Sequence, residues 1–125
     1  MSEDIVSDTL NMIMNCKKIG KDYLEIKRSS KFLLEVLEVA KKEGYLDYNL
    51  DEKSKKLKIK IIKLNECRAI KPRFDVSVEE IEKYMRRFLP ARDFGIIIIS
   101  SNKGLITQRE AYEKNIGGSL IAYFY

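Results

Sequence analysis

The sequence predicts an α+β fold made of two small docked modules. Apolar residues recur at helical spacing in some segments and alternate with polar residues in others, so both helices and strands are expected. This pattern lapses at residues 65–68 and then restarts, which indicates a module boundary. A module of about 60 residues buries only some 60% of its surface, so two of them should dock to stabilise one another. We expect an α-β-α-β-β module at residues 1–66 and a β-rich module with short helices at residues 67–125.

The first helix is indicated by apolar residues that share one helical face, with Ser2 as the cap at its start. These apolar residues are Val6, Leu10, Ile13 and Met14. Gly20 then turns the chain into a short alternating segment at residues 22–27, in which Leu24 and Ile26 point inward. This segment predicts the first strand.

The second helix has the most regular apolar stripe in the sequence. Ser29 or Ser30 caps it and Gly44 ends it. The stripe consists of Phe32, Leu33, Val36, Leu37 and Ala40. Alternating segments at residues 45–50 and 57–61 follow, with a polar turn at residues 51–56 between them. They predict a hairpin that completes the first module.

The second module should begin with a strand at residues 69–74 that has Pro72 near its end. Ser77 and Glu80 then form a capping box, which predicts a short helix. The side chains of this helix that should face the core are Val78, Ile81, Met85 and Phe88.

Residues 94–99 form a nearly continuous apolar run of strand length, so we expect a central strand that is covered on both faces. The connection at residues 100–104 is typical of a hairpin and leads to a short strand at residues 105–107. Thr107 and Glu110 form a second capping box, for a helix that reaches about Lys114. Gly117 and Gly118 then lead into a closing strand at residues 119–125.

The charge is unevenly distributed along the chain. The sequence has 24 basic and 19 acidic residues, a net charge of +5. Residues 53–73 contain nine basic residues and one acidic residue, whereas residues 32–52 contain two basic and six acidic residues. Such an uneven distribution of charge is typical of a protein that binds a polyanion on one face. A basic protein with no nucleic-acid role remains the alternative on charge alone.

Other features restrict the class of function. Cys16 and Cys67 are far apart, and neither belongs to a zinc-binding motif, so no metal is expected. The sequence has no apolar run long enough to predict a membrane segment, and we expect a cytoplasmic protein with reduced thiols. The sequence contains no histidine, which removes the commonest general base and argues against an enzyme. No cofactor or small-molecule substrate is expected.

Several ordered motifs resemble the small-subunit ribosomal protein eight family over nearly the whole chain. The motifs shared with the family in general are Ser30-Lys31, residues 43–46, residues 96–104, Thr107 with Glu110-Ala111, and Gly117-Gly118. Residues 69–74 and 87–95 resemble the archaeal and eukaryotic cytosolic branch. The sequence departs from the family at Asn102, where a small hydroxyl residue is usual. The resemblance implies a primary binder of the central domain of small-subunit rRNA, whose specific contacts come mostly from the C-terminal module.

The chemistry of the second module suits RNA. Ser100, Ser101 and Asn102 could reach the edges of unstacked bases, and Lys103 could bind phosphate. Gly104 permits a tight turn, and the helix that follows Thr107 would add a positive dipole end. Gly117 and Gly118 would leave room for a nucleotide. These residues and Arg109 form the first candidate set. Spacing alone allows a simpler alternative, in which the loop is an ordinary hairpin turn and the two glycines are the C-cap of the helix.

The first module offers a second candidate set for phosphate at the start of its second helix, namely Lys27, Arg28, Ser30 and Lys31. The alternative is a solvated helix cap. The lysines at residues 53–63 could bind RNA or a neighbouring protein, or could protect an exposed edge strand from aggregation. Tyr45, Tyr112, Tyr123 and Tyr125 could stack on bases, although aromatic residues at such spacing more often belong to a core.

We therefore expect a structural protein of the small ribosomal subunit that is a monomer when free and has rRNA and neighbouring ribosomal proteins as partners. The resemblance to bacterial relatives also implies that the protein represses its own message through an RNA mimic. A rival hypothesis is a metal-dependent nuclease that uses Asp93, Glu110 and Glu113. A protein-binding adaptor without RNA affinity is a third possibility.

Overall fold

The computed structural model describes residues 5–71, 73–91 and 94–125. The predicted Ser2 cap and the predicted position of Pro72 in a strand lie outside the described residues. The chain divides into two compact units, Met1–Cys67 and Arg68–Tyr125. Both contain helices and an antiparallel sheet, and the second unit is richer in strands. The predicted α+β class is confirmed.

Two helices cover one side of the first unit. Helix α1 spans Ile5–Lys18 and helix α2 spans Lys31–Lys42. The side chain of Ser30 accepts a hydrogen bond from the backbone N–H of Leu33 at 3.1 Å, so Ser30 is the cap of α2. Beyond the end of α2, Gly44 has a φ of 86°, a left-handed conformation that glycine adopts without steric cost. The start and end signals read from the sequence are confirmed for this helix.

The sheet of the first unit has three strands in the order β1-β3-β2. Strand β1 spans Tyr23–Ile26, β2 spans Leu46–Asp51 and β3 spans Lys56–Ile61. Leu57 and Ile59 of β3 are fully buried, while Lys58 and Lys60 are exposed, as their alternation predicts. Because β3 lies between the other two strands, it is not an edge strand, and the edge-protection interpretation of its lysines is wrong.

The lysines of β3 face acidic and polar residues on the neighbouring strands. Lys60 lies between Tyr23 and Asp47, Lys58 lies between Glu25 and Asn49, and Lys56 is paired with Asp51. A hydrogen bond from Tyr23, together with the charges of Lys56 and Lys58, lowers the pKa of Glu25. The exposed face of this sheet therefore has three lysines opposed by three carboxylates.

Tyr48 connects β2 to α2. Its hydroxyl donates a hydrogen bond to Glu38 Oε1 at 2.8 Å. Burial and this carboxylate raise the pKa of Tyr48 to about 12, so the hydroxyl stays protonated and remains a donor at neutral pH.

The second unit contains a five-stranded sheet in which β4, β8, β6 and β7 are adjacent in that order, and β5 also pairs with β8. Its strands are β4 (Cys67–Ala69), β5 (Asp75–Val76), β6 (Ile96–Ser101), β7 (Gly104–Thr107) and β8 (Gly118–Phe124). Helices α3 (Val78–Phe88) and α4 (Gln108–Lys114) begin at the two predicted capping boxes. Within the described residues, no helix has the length and apolar character needed to cross a membrane.

The strand predicted at residues 69–74 is wrong in its extent, because β4 already ends at Ala69. The segment after β4 nevertheless remains hydrogen-bonded to β8 at two positions. The N–H of Ile70 donates to the Ile121 carbonyl, and the N–H of Leu120 donates to the Phe74 carbonyl, both at 2.9 Å.

Strand β6 is the predicted central strand, since it pairs with β7 on one side and β8 on the other. Its residues Ile96–Ile99 are at most 3% exposed, so both of its faces are covered. Ile97 and Ile99 pack in a cluster with Ile81 and Met85 of α3 and Ala111 of α4. The two helices therefore lie over the same face of the sheet. Ile98 and Ser100 point to the opposite face, because side chains alternate along a strand.

Candidate nucleic-acid interface

The hairpin between β6 and β7 presents three of the predicted residues to solvent. Ser101 pairs with Gly104, which leaves Asn102 and Lys103 as the turn. Gly104 has a φ of 101°, a conformation that a side chain would strain, so the tight turn depends on this glycine. Asn102, Lys103 and Gly104 are all exposed. The structure thus brings an amide and a cation together at an accessible loop.

Ser100 and Ser101 differ in how their hydroxyl groups are used. The Ser101 hydroxyl donates to the Gly104 carbonyl at 2.8 Å and accepts from the Lys103 N–H at 3.1 Å. Its one hydrogen is therefore already committed to the turn. Within the described residues, the Ser100 hydroxyl makes no hydrogen bond, and its residue is half-buried at the end of β6. Ser100 is the better placed of the two to donate to a ligand.

Strand pairing places Ser100 in a row of side chains that crosses the sheet. Ser100 is paired with Ser119 of β8 and with Leu105 of β7, and Ser119 is paired with Asp75 of β5. Directly paired residues point to the same face, with Cβ atoms about 5 Å apart. Sequence reasoning missed Asp75 and Ser119, because residues 44 positions apart become neighbours only through the sheet. No local motif could have indicated them.

The start of α4 is occupied by the protein's own groups. The N–H of Thr107 donates to Glu110 Oε1 and the N–H of Glu110 donates to the Thr107 hydroxyl, both at 3.4 Å. Thr107 is only 5% exposed. Because a carboxylate already lies at this end of a seven-residue helix, the predicted phosphate site on its backbone is not supported. Arg109 is exposed in the first turn and provides an accessible cation there.

Gln108 fixes the position of α4 against the sheet. Its buried side chain accepts a hydrogen bond from the N–H of Ile97 at 2.8 Å and donates to the Gly95 carbonyl at 3.0 Å. It therefore satisfies backbone groups of Gly95 and Ile97 beside the part of β6 that pairs with β7. Sequence reasoning gave Gln108 no role, since only the fold brings its amide to these groups.

Gly117 and Gly118 are required for close packing of the protein's own backbone. A Cβ atom at Gly117 would lie 2.2 Å from the Val76 carbonyl oxygen, and one at Gly118 would lie 2.2 Å from the Ser100 carbonyl oxygen. Both distances are far shorter than van der Waals contact. Protein backbone therefore fills the space that a Cβ atom would take at either glycine, and the expectation that they leave room for a nucleotide stays a prediction. The glycine-cap alternative is wrong, because Asn115 forms the left-handed C-cap of α4.

The second candidate set lies in the first unit, around the start of α2. Lys27, Arg28 and Ser30 line an open cavity of about 760 Å³, and Lys55 also lines it. Glu52 also lines this cavity and reduces its positive charge. Arg28 forms an exposed ion pair with Asp8 at 3.7 Å, a contact that contributes little stability in water. Lys31 is exposed but does not line the cavity.

The tyrosines mostly belong to the protein's own packing. Tyr123 is 8% exposed and stacks between Phe88 and Tyr125, with ring centroids 5.4 and 6.1 Å away. Tyr112 is exposed, and its hydroxyl donates to Met85 Sδ. Tyr45 is half-buried beside the end of α2. The core interpretation holds for Tyr123 in particular, because its side chain is buried.

The carboxylates of the nuclease hypothesis do not form a described cluster. Glu110 belongs to the capping box and lies 4.0 Å from Lys114. Glu113 is exposed on α4. Asp93 lies outside the described residues.

A family model and individual relatives of this chain both point to the same protein family. The family model described as ribosomal protein S8 matches residues 4–125. The chain is 45% identical to small ribosomal subunit protein uS8 of Nanoarchaeum equitans and 41% identical to uS8 of Archaeoglobus fulgidus, with all of each chain covered. It is 39% identical to uS8 of Methanococcoides burtonii over 98% of this chain and 97% of the relative. This full-length similarity, on a fold of the predicted class, shows that the chain belongs to the ribosomal protein S8 family.

Proposed function

We propose that this protein, which is a structural component of the small ribosomal subunit, binds the central domain of small-subunit rRNA through the β6–β7 hairpin. The observation that carries the proposal is the hairpin at residues 100–104, which is exposed at its turn. There the Ser100 hydroxyl, which has no hydrogen bond to any residue that the structure describes, and the Asn102 amide lie near the Lys103 cation. Its family consists of structural rRNA-binding proteins, so the chain is not an enzyme.

The hairpin offers separate groups for bases and for the RNA backbone. The Ser100 hydroxyl and the Asn102 amide can donate to and accept from base edges, which are accessible where RNA is unpaired. Lys103 and Arg109 are exposed cations that suit phosphate oxygens. Phosphate contacts provide affinity and base contacts provide specificity. This division of labour is what a protein needs if it must find one site on a long RNA.

Three of the predicted residues act indirectly in this proposal. Ser101 holds the turn closed, Thr107 fixes the start of α4, and Gly118 allows β8 to lie against Ser100. Each therefore shapes the surface without needing to contact RNA. The cavity lined by Lys27 and Arg28 serves as a second phosphate anchor, carried by the first unit.

The partners in this proposal are rRNA and neighbouring proteins of the small subunit. The protein is a monomer when free and acts in the cytoplasm, where ribosomes translate.

The test is a binding titration against a central-domain fragment of small-subunit rRNA at several salt concentrations. We expect log K to fall linearly with log salt concentration, with a slope of about −0.7 to −0.9 for each neutralised phosphate. A scrambled RNA of the same length is the control, and it should bind more weakly at every salt concentration. A slope of zero, or equal affinity for both RNAs, would contradict the proposal.

A further inference from the structure

A carboxylate lies beside the hydroxyl groups of the proposed RNA-binding surface. The Ser119 hydroxyl donates a hydrogen bond to Asp75 Oδ1, which joins β5 to β8 at the side chains. Ser119 is also the strand partner of Ser100. Asp75 is exposed and Ser119 and Ser100 are half-buried, so the three side chains form an accessible row on one face of the sheet.

A carboxylate is an unusual group to find on a surface that must approach RNA. It repels phosphate and cannot donate a hydrogen bond, so it would weaken any contact with the RNA backbone. An ionised carboxylate can accept several hydrogen bonds, and the one from Ser119 leaves further acceptor positions on Asp75 open to solvent. Among RNA groups, the exocyclic amino groups of bases are donors that a carboxylate can recognise.

We propose that Asp75, oriented by Ser119, is a specificity-determining residue that accepts a hydrogen bond from the amino group of an unpaired base. The neighbouring Ser100 hydroxyl supplies a second polar contact on the same face, about 10 Å from Asp75 across two strand spacings. This inference rests on the proposed RNA-binding function and adds to it the kind of base group that the surface selects.

The experiment compares Asp75→Asn with Glu113→Gln, a matched loss of one exposed negative charge in the same unit. Both variants and the wild-type protein are titrated with the central-domain fragment and with the scrambled RNA at one salt concentration. Removing a negative charge by itself should leave affinity for both RNAs equal or increased, as expected for Glu113→Gln. Asp75→Asn should instead weaken binding to the central-domain fragment by about tenfold, because the charged acceptor is replaced by a neutral amide oxygen and the hydrogen bond loses its charge assistance. Its affinity for the scrambled RNA should not fall.

A second series identifies the RNA group, first in the wild-type complex and then in the variants. In the wild-type complex, guanosine, adenosine and cytidine in unpaired regions are replaced one at a time by inosine, purine riboside and zebularine, which lack the exocyclic amino group. One replacement should weaken binding about tenfold in the wild-type protein and have a clearly smaller effect in Asp75→Asn, whose neutral amide oxygen is a weaker acceptor. Ser119→Ala should cause a smaller loss in the same direction, since the carboxylate remains but is no longer oriented.

The outcomes separate this inference from the proposed function. If the wild-type protein shows no preference for the central-domain fragment over the scrambled RNA, the proposed function itself fails. If that preference is present but Asp75→Asn behaves like Glu113→Gln, or weakens both RNAs equally, only the role of Asp75 is overturned. A different result would also overturn the role of Asp75 in base recognition. If no amino-group replacement weakened binding, but a 2′-deoxy replacement weakened it in the wild-type protein and not in Asp75→Asn, the donor to Asp75 would be a ribose hydroxyl. Thermal unfolding of each variant shows whether a loss of affinity reflects a loss of fold.

Discussion

At the scale of single residues, Ser100 and Ser101 show how adjacent identical side chains acquire different roles. Alternation along β6 sends them to opposite faces of the sheet. Ser101 then lies where its hydroxyl can bond to Gly104 and Lys103, and Ser100 lies beside Ser119. The identity of the residues predicts a polar loop, but only the register of the hairpin determines which groups lie beside each hydroxyl.

This difference gives a prediction for two alanine variants. Ser101→Ala should lower the free energy of unfolding by about 1 kcal/mol, because two hydrogen bonds of the turn are lost. Ser100→Ala should change stability by less than about 0.5 kcal/mol, yet weaken binding to the central-domain fragment by about fivefold or more. Urea denaturation and RNA titration measure the two quantities. The assignment is wrong if Ser100→Ala is the more destabilising change and leaves RNA affinity intact.

At the scale of elements, the two capping boxes were predictable because every signal they need is local. Ser77 with Glu80 and Thr107 with Glu110 are three residues apart, and helix geometry alone brings each pair together. The role of Gly117 and Gly118 was not predictable in the same way. Their constraint comes from Val76 and Ser100, which lie on other strands of the sheet.

Packing between β6 and β8 makes Gly118 sensitive to the smallest side chain. Gly118→Ala should lower the free energy of unfolding by about 3 kcal/mol, because the new methyl group meets a backbone oxygen that cannot move without disturbing the ladder. Gly104→Ala is the control. A Cβ atom there meets nothing within 4 Å, so only its left-handed backbone is strained, at about 1 kcal/mol.

Chemical denaturation of the two glycine variants checks this order. If Gly104→Ala proved the more destabilising, steric contact with Ser100 would not be the reason for glycine at position 118.

At the scale of the whole molecule, the charge read along the chain differs from the charge on the folded surface. Residues 53–73 are strongly basic in sequence, yet Lys56, Lys58 and Lys60 lie on a sheet face that also carries Glu25, Asp47 and Asp51. Opposite charges on adjacent strands offset one another. The lysines of β3 are therefore poor candidates for a separate phosphate-binding surface.

This compensation predicts which lysines control the salt dependence of RNA binding. Lys103→Gln should reduce the slope of log K against log salt concentration by about 0.7 to 0.9, because one phosphate contact is lost. Lys58→Gln removes the same charge from the chain but should leave the slope nearly unchanged, since Lys58 faces Glu25. Titrations with the central-domain fragment give both slopes. Equal reductions in the two variants would mean that net charge, and not the hairpin, governs binding.

The linear sequence was sufficient to predict the α+β class, the starts of α2, α3 and α4, and the family. These depend on periodicity, on caps such as Ser30 and on the order of motifs, all of which are carried by residues close together in the chain. It also identified the exposed loop at residues 100–104 as a polar site.

The three-dimensional fold was needed to tell which polar groups of that loop are available and which residues lie beside them. Sheet pairing commits Ser101 to its turn, fills the space beside Gly117 and Gly118, offsets the lysines of β3 and brings Asp75 next to Ser119. The physical reason is that strand order and register join segments far apart in sequence, and no local pattern encodes which strands will meet.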